Sequence, residues 1–144
     1  MVKNKKPGKG FTLLELILVL TILAGTGFML VIKLPLKVHS QSLTLTSAQL
    51  LTELRDTRQA AMSENTWYKV KFYYGPGYYQ IMRQGVRVKQ IDLEEGIVFA
   101  NSPPDLIFNA RGIPNVGLTV LLKNAEGEIK KVIVAPVSGR IREE

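Results

Sequence analysis

Cysteine is absent from the 144 residues and histidine occurs once, as His39. Without thiols there is neither a disulfide framework nor a thiolate metal site, and the redox compartment stays unread. A single imidazole disfavours most zinc and triad chemistries. Acids are missing from the first ten residues, where Lys3, Lys5, Lys6 and Lys9 crowd together. Setting these four aside, the net charge of +7 falls to about +3, too mild to imply nucleic acid by itself. No internal repeat or low-complexity tract stands out.

What is present is enough for a core. At 46% hydrophobic residues the chain suits one modest domain plus an appendage. The appendage is the run from Phe11 to Ile32, broken only by Thr12, Glu15, Thr21, Thr26 and a few small residues. As a helix rising about 1.5 Å per residue it reaches roughly 33 Å, enough to cross a hydrocarbon layer. The lysines ahead of it place the N-terminus on the cytoplasmic side. Three readings of this segment stand side by side. A cleaved signal peptide finds a small-residue site at Ala24-Gly25-Thr26, but the apolar run continues past it. A plain signal anchor leaves Glu15 unexplained, since an acid within the bilayer costs about 2.5–3.5 kcal/mol. In the third, a cut between Gly10 and Phe11 removes the lysines and creates an ammonium on Phe11, one turn before Glu15. The two charges then neutralise each other, within one chain or between neighbouring helices, and a paired carboxylate is tolerated at that depth.

Beyond the run, Lys33 ends the apolar stretch and Pro35 is expected to bend or interrupt any helix. From about Ser40 to Ser63 helical periodicity returns, with Leu43, Leu50, Leu54 and Ala61 on one face and Glu53, Arg55, Asp56, Arg58 and Gln59 around the rest. After Asn65 the pattern becomes that of strands. In Trp67–Tyr74 the residues Tyr68, Val70, Phe72 and Tyr74 alternate with Trp67, Lys69, Lys71 and Tyr73. Gly75-Pro76-Gly77 is a turn leading back through Tyr78–Arg83, a hairpin. Further strands are expected at Val86–Leu93, Ile97–Ala100, Leu106–Phe108, Leu118–Lys123 and Lys130–Ala135, the last two joined by the Asn124–Gly127 turn. The fold class is α+β: a long N-terminal helix, membrane-spanning in its first half and amphipathic in its second, packed on an antiparallel sheet.

No catalytic constellation emerges. His39 has no acid or nucleophile beside it. Asp92, Glu94 and Glu95 are the densest acidic cluster but precede Gly96 at a turn, and calcium loops alternate their ligands through a longer segment. Gly75-Pro76-Gly77 lacks the lysine and helix start of a phosphate cradle. Trp67, Tyr68, Tyr73, Tyr74, Tyr78 and Tyr79 are read as core, with a stacking surface for single-stranded nucleic acid as the alternative. Arg140 and Arg142, in Gly139-Arg140-Ile141-Arg142, would point to one face about 6.6 Å apart if extended, suited to phosphate. Against that, Glu143, Glu144 and the terminal carboxylate follow immediately, and pairing with acids or with adjacent subunits is the competing reading.

The stretch Lys9-Gly10-Phe11-Thr12-Leu13-Leu14-Glu15-Leu16 resembles the prepilin cleavage and methylation motif of type IV pilins and type II secretion pseudopilins. The resemblance implies that residues 1–10 are a leader, that a prepilin peptidase cuts between Gly10 and Phe11, that Phe11 is N-methylated and that Glu15 guides subunit docking. It further implies one long helix, made of an anchor and filament core (11–32) and a kinked amphipathic continuation (33–65), before a β-rich head (66–144). Ile107-Phe108-Asn109-Ala110-Arg111-Gly112, the strand pair, and Val137-Ser138-Gly139-Arg140-Ile141-Arg142 resemble the GspH/FimT branch of minor pilins and pseudopilins. The lack of cysteine, and with it of the disulfide-closed loop of many major pilins, favours a minor subunit. The implied partners are the peptidase, other pilin or pseudopilin subunits and the inner-membrane assembly platform, with no cofactor and no enzymatic activity. The implied location is the inner membrane, head outside, and then the filament. Transformation-associated FimT-like pilins bind DNA through Gly-Arg-x-Arg, which makes DNA the alternative partner, at Arg140 and Arg142.

Overall fold

The computed structural model describes residues 12–31 and 35–144, with side chains from 12–23 and from 40 onward. It divides into two compact units, Met1–Leu36 and Lys37–Glu144.

In the first unit, helix α1 runs Leu13–Val31. Thr12 caps it: its carbonyl accepts from the amides of Glu15 (3.1 Å) and Leu16 (3.2 Å), and its Oγ1 accepts from the Glu15 amide at 3.3 Å. Leu13, Leu14, Leu16–Leu20, Ile22 and Leu23 are all exposed, so the described part of α1 presents apolar side chains around its whole circumference. Among the described residues no helix is long and apolar enough to cross a membrane. The expected span, residues 11–32, extends beyond the positions whose side chains are described.

Helix α2 occupies Pro35–Ser63. Two helical elements are described, α1 to Val31 and α2 from Pro35, and the expected junction between them, residues 32–34, lies outside the described residues. The face expected to be buried is buried: Leu43, Leu50, Leu54 and Ala61 are each at most 2% exposed.

Eight strands follow: β1 Tyr68–Tyr73, β2 Tyr78–Arg83, β3 Val86–Asp92, β4 Val98–Phe99, β5 Leu106–Phe108, β6 Leu118–Lys123, β7 Ile129–Val134 and β8 Ile141–Glu143. They form two four-stranded sheets, ordered β3-β2-β1-β5 and β4-β6-β7-β8, where the sequence had led us to expect one. All their named pairings are antiparallel. Alternation sets the inward faces. Val70, Leu106, Phe108, Val120, Leu122 and Val132 are fully buried in one cluster with the α2 stripe. Phe72 of β1 meets Phe99 of β4 edge to face, ring centres 5.8 Å apart, joining the two sheets.

Two local expectations fail. Tyr74, assigned to the inward face, is 61% exposed, because β1 stops at Tyr73 and the chain turns so that the Gly77 amide reaches the Tyr73 carbonyl at 3.0 Å. The strand expected at Ile97–Ala100 shrinks to Val98–Phe99, since Ile97 closes the Glu94–Ile97 turn through its amide and Ala100 leaves the ladder after its amide bonds the Leu121 carbonyl.

Candidate functional site

Two places carry the residues singled out from the sequence. At the N-terminus, Gly10 and Phe11 lie outside the described residues. Glu15 is described and exposed, in the first turn of α1. With Thr12 as the cap, Glu15 is the third helical residue, and Thr12-Leu13-Leu14-Glu15 is the capping-box pattern, a local signal that the sequence reading passed over. An acid here also suits the positive end of the helix. Glu15 therefore has a role in starting α1 in addition to any partner it finds elsewhere.

At the C-terminus, β8 forms the edge of the second sheet. Ile141 points inward at 5% exposure, and Arg140 and Arg142 point outward, as expected of an extended segment. Arg142 sits opposite Ile133, while the Ala135 amide donates to the Arg140 carbonyl at 2.9 Å. Both arginines border an open groove of about 460 Å³ with Gly117, Thr119, Ile133 and Ala135. Arg142 pairs with Glu144 at 3.0 Å, but both side chains are about half exposed, so the bond is weak and screened. The Arg140 guanidinium makes no hydrogen bond or ion pair among the described residues. Outward positions of β6 and β7 add the exposed Lys123 and Lys131, giving this face four cations beside Glu144.

What fixes this strand comes from α2, and the sequence reading missed it by assigning Arg55 and Arg58 to the polar remainder of the helix. Arg55 donates to the Ile141 carbonyl at 3.0 Å. Arg58 donates through Nε to the Gly112 carbonyl at 2.9 Å and through a terminal nitrogen to the Ser138 carbonyl at 3.1 Å. It thereby ties together two glycine turns, Gly112 (φ 72°) and Gly139 (φ 62°), that lie far apart in sequence. A Cβ on Gly139 would stand 2.6 Å from the Gly112 carbonyl oxygen. No periodicity marks an arginine that bonds backbone from the flank of a helix, so no local signal could have found Arg58.

Glu143 completes the clasp. Its carboxylate accepts from Ser47, which is fully buried, at 2.8 Å and from Lys130 at 2.5 Å. Burial alone would raise its pKa, but the hydrogen bonds from Lys130 and Ser47, with the Lys130 charge, outweigh it and hold the carboxyl below its usual value. A carboxyl held low in the fold stabilises it above the unfolded pKa, and that contribution is lost as pH falls through the folded pKa. Glu143→Gln is expected to melt lower than the unaltered chain near neutrality, with the gap closing on acidification. Thermal melts from pH 7 to about pH 3 check this; a gap that does not change with pH would assign Glu143 no electrostatic role.

The remaining candidates disperse. The His39 side chain lies outside the described residues. Asp92 ends β3, and Glu94 and Glu95 occupy the exposed turn before Gly96 (φ 81°). Among the described residues no group of acids and histidines is placed to hold a metal. The aromatics divide by strand alternation. Tyr68, Phe72 and Tyr79 are core. Burial first, and the Glu53 charge second, push the Tyr79 phenol up. Tyr73 and Tyr78 stack on the opposite face at 4.6 Å, with Lys71 Nζ 5.2 Å from the Tyr73 ring, so their faces are already in use.

Comparison with known proteins bears on the N-terminal motif and on the fold. Residues 5–24 match the family described as the prokaryotic N-terminal methylation motif. The structure is similar to the minor pseudopilin EpsH from the type 2 secretion system of Vibrio cholerae, with TM-score 0.60 and 14% identity over 72% of this chain and 96% of that one. It is similar also to the type IV minor pilin FimU of Pseudomonas aeruginosa, with TM-score 0.61 and 16% identity over 73% of this chain and 90% of that one. No curated protein matches the sequence. By its N-terminal motif and by its fold the chain is thus pilin-like, a prokaryotic methylation motif leading into the architecture of the minor pilins and pseudopilins.

Proposed function

We propose that the chain is a minor pilin or pseudopilin, built as a structural subunit, that assembles into or primes a type IV pilus or a type II secretion pseudopilus. The observation that carries this reading is the methylation motif at residues 5–24 running into a helix whose described apolar side chains are all exposed. A helix apolar all round needs a lipid or protein environment, and it can leave a membrane for a bundle of like helices with no new apolar surface exposed to water. In this reading prepilin peptidase cuts between Gly10 and Phe11, Phe11 is N-methylated, and Glu15 meets the new ammonium. The head then lies outside the inner membrane, and other subunits and the assembly platform are the partners. The Phe108–Gly112 turn and the Gly139-Arg140 turn, joined by Arg58, give the GspH/FimT assignment a physical reason, since both glycines are needed where the helix clamps them. Mass spectrometry of membrane-derived protein should find a chain starting at N-methylated Phe11. An intact Met1 terminus in cells that contain the peptidase would overturn this reading.

A second reading, capture of DNA by the head, is favoured by one observation: Arg140, Arg142, Lys123 and Lys131 share the outward face of the second sheet, and Arg140 is unpaired among the described residues. Here DNA binding by the full chain in detergent should weaken steeply with salt. The double substitution Arg140→Ala and Arg142→Ala should reduce it; undiminished binding would remove these residues from consideration.

A further inference from the structure

On the other side of Arg140 lies a second groove, of about 480 Å³, between α2 and the C-terminal segment; it is lined by Arg55, Asp56, Arg58, Ser138, Gly139 and Arg140 among others. Three guanidiniums face one carboxylate there. Each guanidinium has five N–H donors. Arg55 spends one on Ile141 and Arg58 two on Gly112 and Ser138, and Arg140 spends none within the described residues. The carbonyl ties hold Arg55 and Arg58 in place, so little side-chain entropy remains to be lost when an acid arrives. Converging like charges with unused donors form a site for carboxylates.

The same head carries a matching group. Glu94 and Glu95 are exposed in the β3–β4 turn and make no hydrogen bond or ion pair through their side chains among the described residues, and Asp92 beside them is held only by Gln90 at 3.3 Å. The geometry of α2 separates the two surfaces. At about 100° per residue, Glu53 and Arg58 fall on opposite flanks of the Leu43–Leu50–Leu54–Ala61 stripe. Glu53 binds Lys89 of β3 on one flank, and Arg55 and Arg58 bind the β8 segment on the other. The acidic turn extends from β3 and the arginine groove borders β8, so one molecule cannot fold its turn into its own groove without crossing the helix.

We infer that the head carries both halves of a head-to-tail contact with a second copy of this chain, the Glu94-Glu95 turn of one copy seating against Arg55, Arg58 and Arg140 of the next. Because the two surfaces lie on opposite flanks of α2, the contact is heterologous and propagates along a row instead of closing a two-fold dimer. It goes beyond filament membership, since it is a property of the heads and does not depend on processing at Gly10.

The test uses the full chain in detergent micelles, followed by sedimentation at low salt and at about 0.5 M salt, where exposed charges are screened. Self-association at low salt that weakens at high salt is the expected result. Glu94→Arg with Glu95→Arg, or Arg140→Glu alone, should each weaken it by roughly tenfold or more; Arg140 is chosen because its side chain supports no turn. An equimolar mixture of the two variants should associate again, as pairs, because the unaltered turn of the Arg140→Glu copy meets the unaltered groove of the other. Association that survives both variants or high salt comes from α1 and overturns the inference, as does a monomer at low salt. Methylation of Phe11, measured on the same samples, tests the filament reading separately and is not expected to change with either variant.

Discussion

Gly139→Ala is expected to lower the stability of the head by about 3 kcal/mol, the largest loss from adding a single methyl group to the clasp. About 1–2 kcal/mol comes from the backbone, because φ at Gly139 is 62° and an L side chain pays for the left-handed region. The rest comes from space. The new Cβ would lie 2.6 Å from the Gly112 carbonyl oxygen and 2.9 Å from Arg58 Nε, and the first of these is backbone, which yields only if the turn moves. Overpacking of this kind costs about 1–3 kcal/mol. For a head of this size, each kcal/mol moves the melting temperature by roughly 4–8 °C, so a fall of well over 10 °C is expected in a thermal scan. Arg58→Ala acts on the same node by a different route, leaving two carbonyls without their donor. Because both changes disrupt one contact, their effects should sum to less than the parts. A melt within about 2 °C of the unaltered chain for Gly139→Ala would show that the turn relaxes freely.

If the chain is processed and assembled as proposed, Glu15→Ala should leave cleavage after Gly10 intact and sharply lower the subunit's incorporation into filaments. The capping role alone predicts little, since an acid near a helix start contributes about 0.3–1 kcal/mol, and removing a carboxylate from an apolar segment should ease insertion by about 2.5–3.5 kcal/mol. If Glu15 were only a helix starter, alanine would therefore be incorporated as well as glutamate. If it compensates the Phe11 ammonium, its loss leaves that charge unpaired among packed apolar helices. At about 1.4 kcal/mol per factor of ten, an uncompensated charge predicts at least about a tenfold drop in incorporation. Glu15→Gln separates the two roles, because an amide can still cap the first turn but carries no charge. Counting subunits in sheared filaments, with mass spectrometry to confirm cleavage, decides it; normal incorporation of the glutamine variant would contradict the pairing argument.

Much of the fold was legible because it is written in periods. The 7–4–7 spacing of Leu43, Leu50, Leu54 and Ala61 marks a helical stripe, and all four are buried. Tyr68, Val70 and Phe72 alternate with lysines as a half-buried strand should. Turns announced by Gly77 and Gly127 adopt the positive φ that glycine permits. The candidate sites were legible to different degrees. Glu15 is conspicuous because a charge interrupts an apolar run, and Arg140 and Arg142 because a glycine and an alternation precede them. Arg58 was invisible: its partners are backbone carbonyls at Gly112 and Ser138, and a carbonyl leaves no mark on the amino-acid sequence.

The sequence by itself determined most of the inward-facing residues, where the chain turns, and that an acid sits within a methylation motif at the head of an apolar helix, because these depend on neighbours within a few positions. Tertiary structure alone decided that the strands divide between two sheets, that Arg55 and Arg58 hold the last strand, and that Arg140, between two grooves, has no partner among the described residues while Arg142 has Glu144. The physical reason is reach. Periodicity and turn chemistry act over one or two helical turns, whereas a guanidinium 54 residues from Gly112 in the chain finds its carbonyl only after the helix has packed on the sheets.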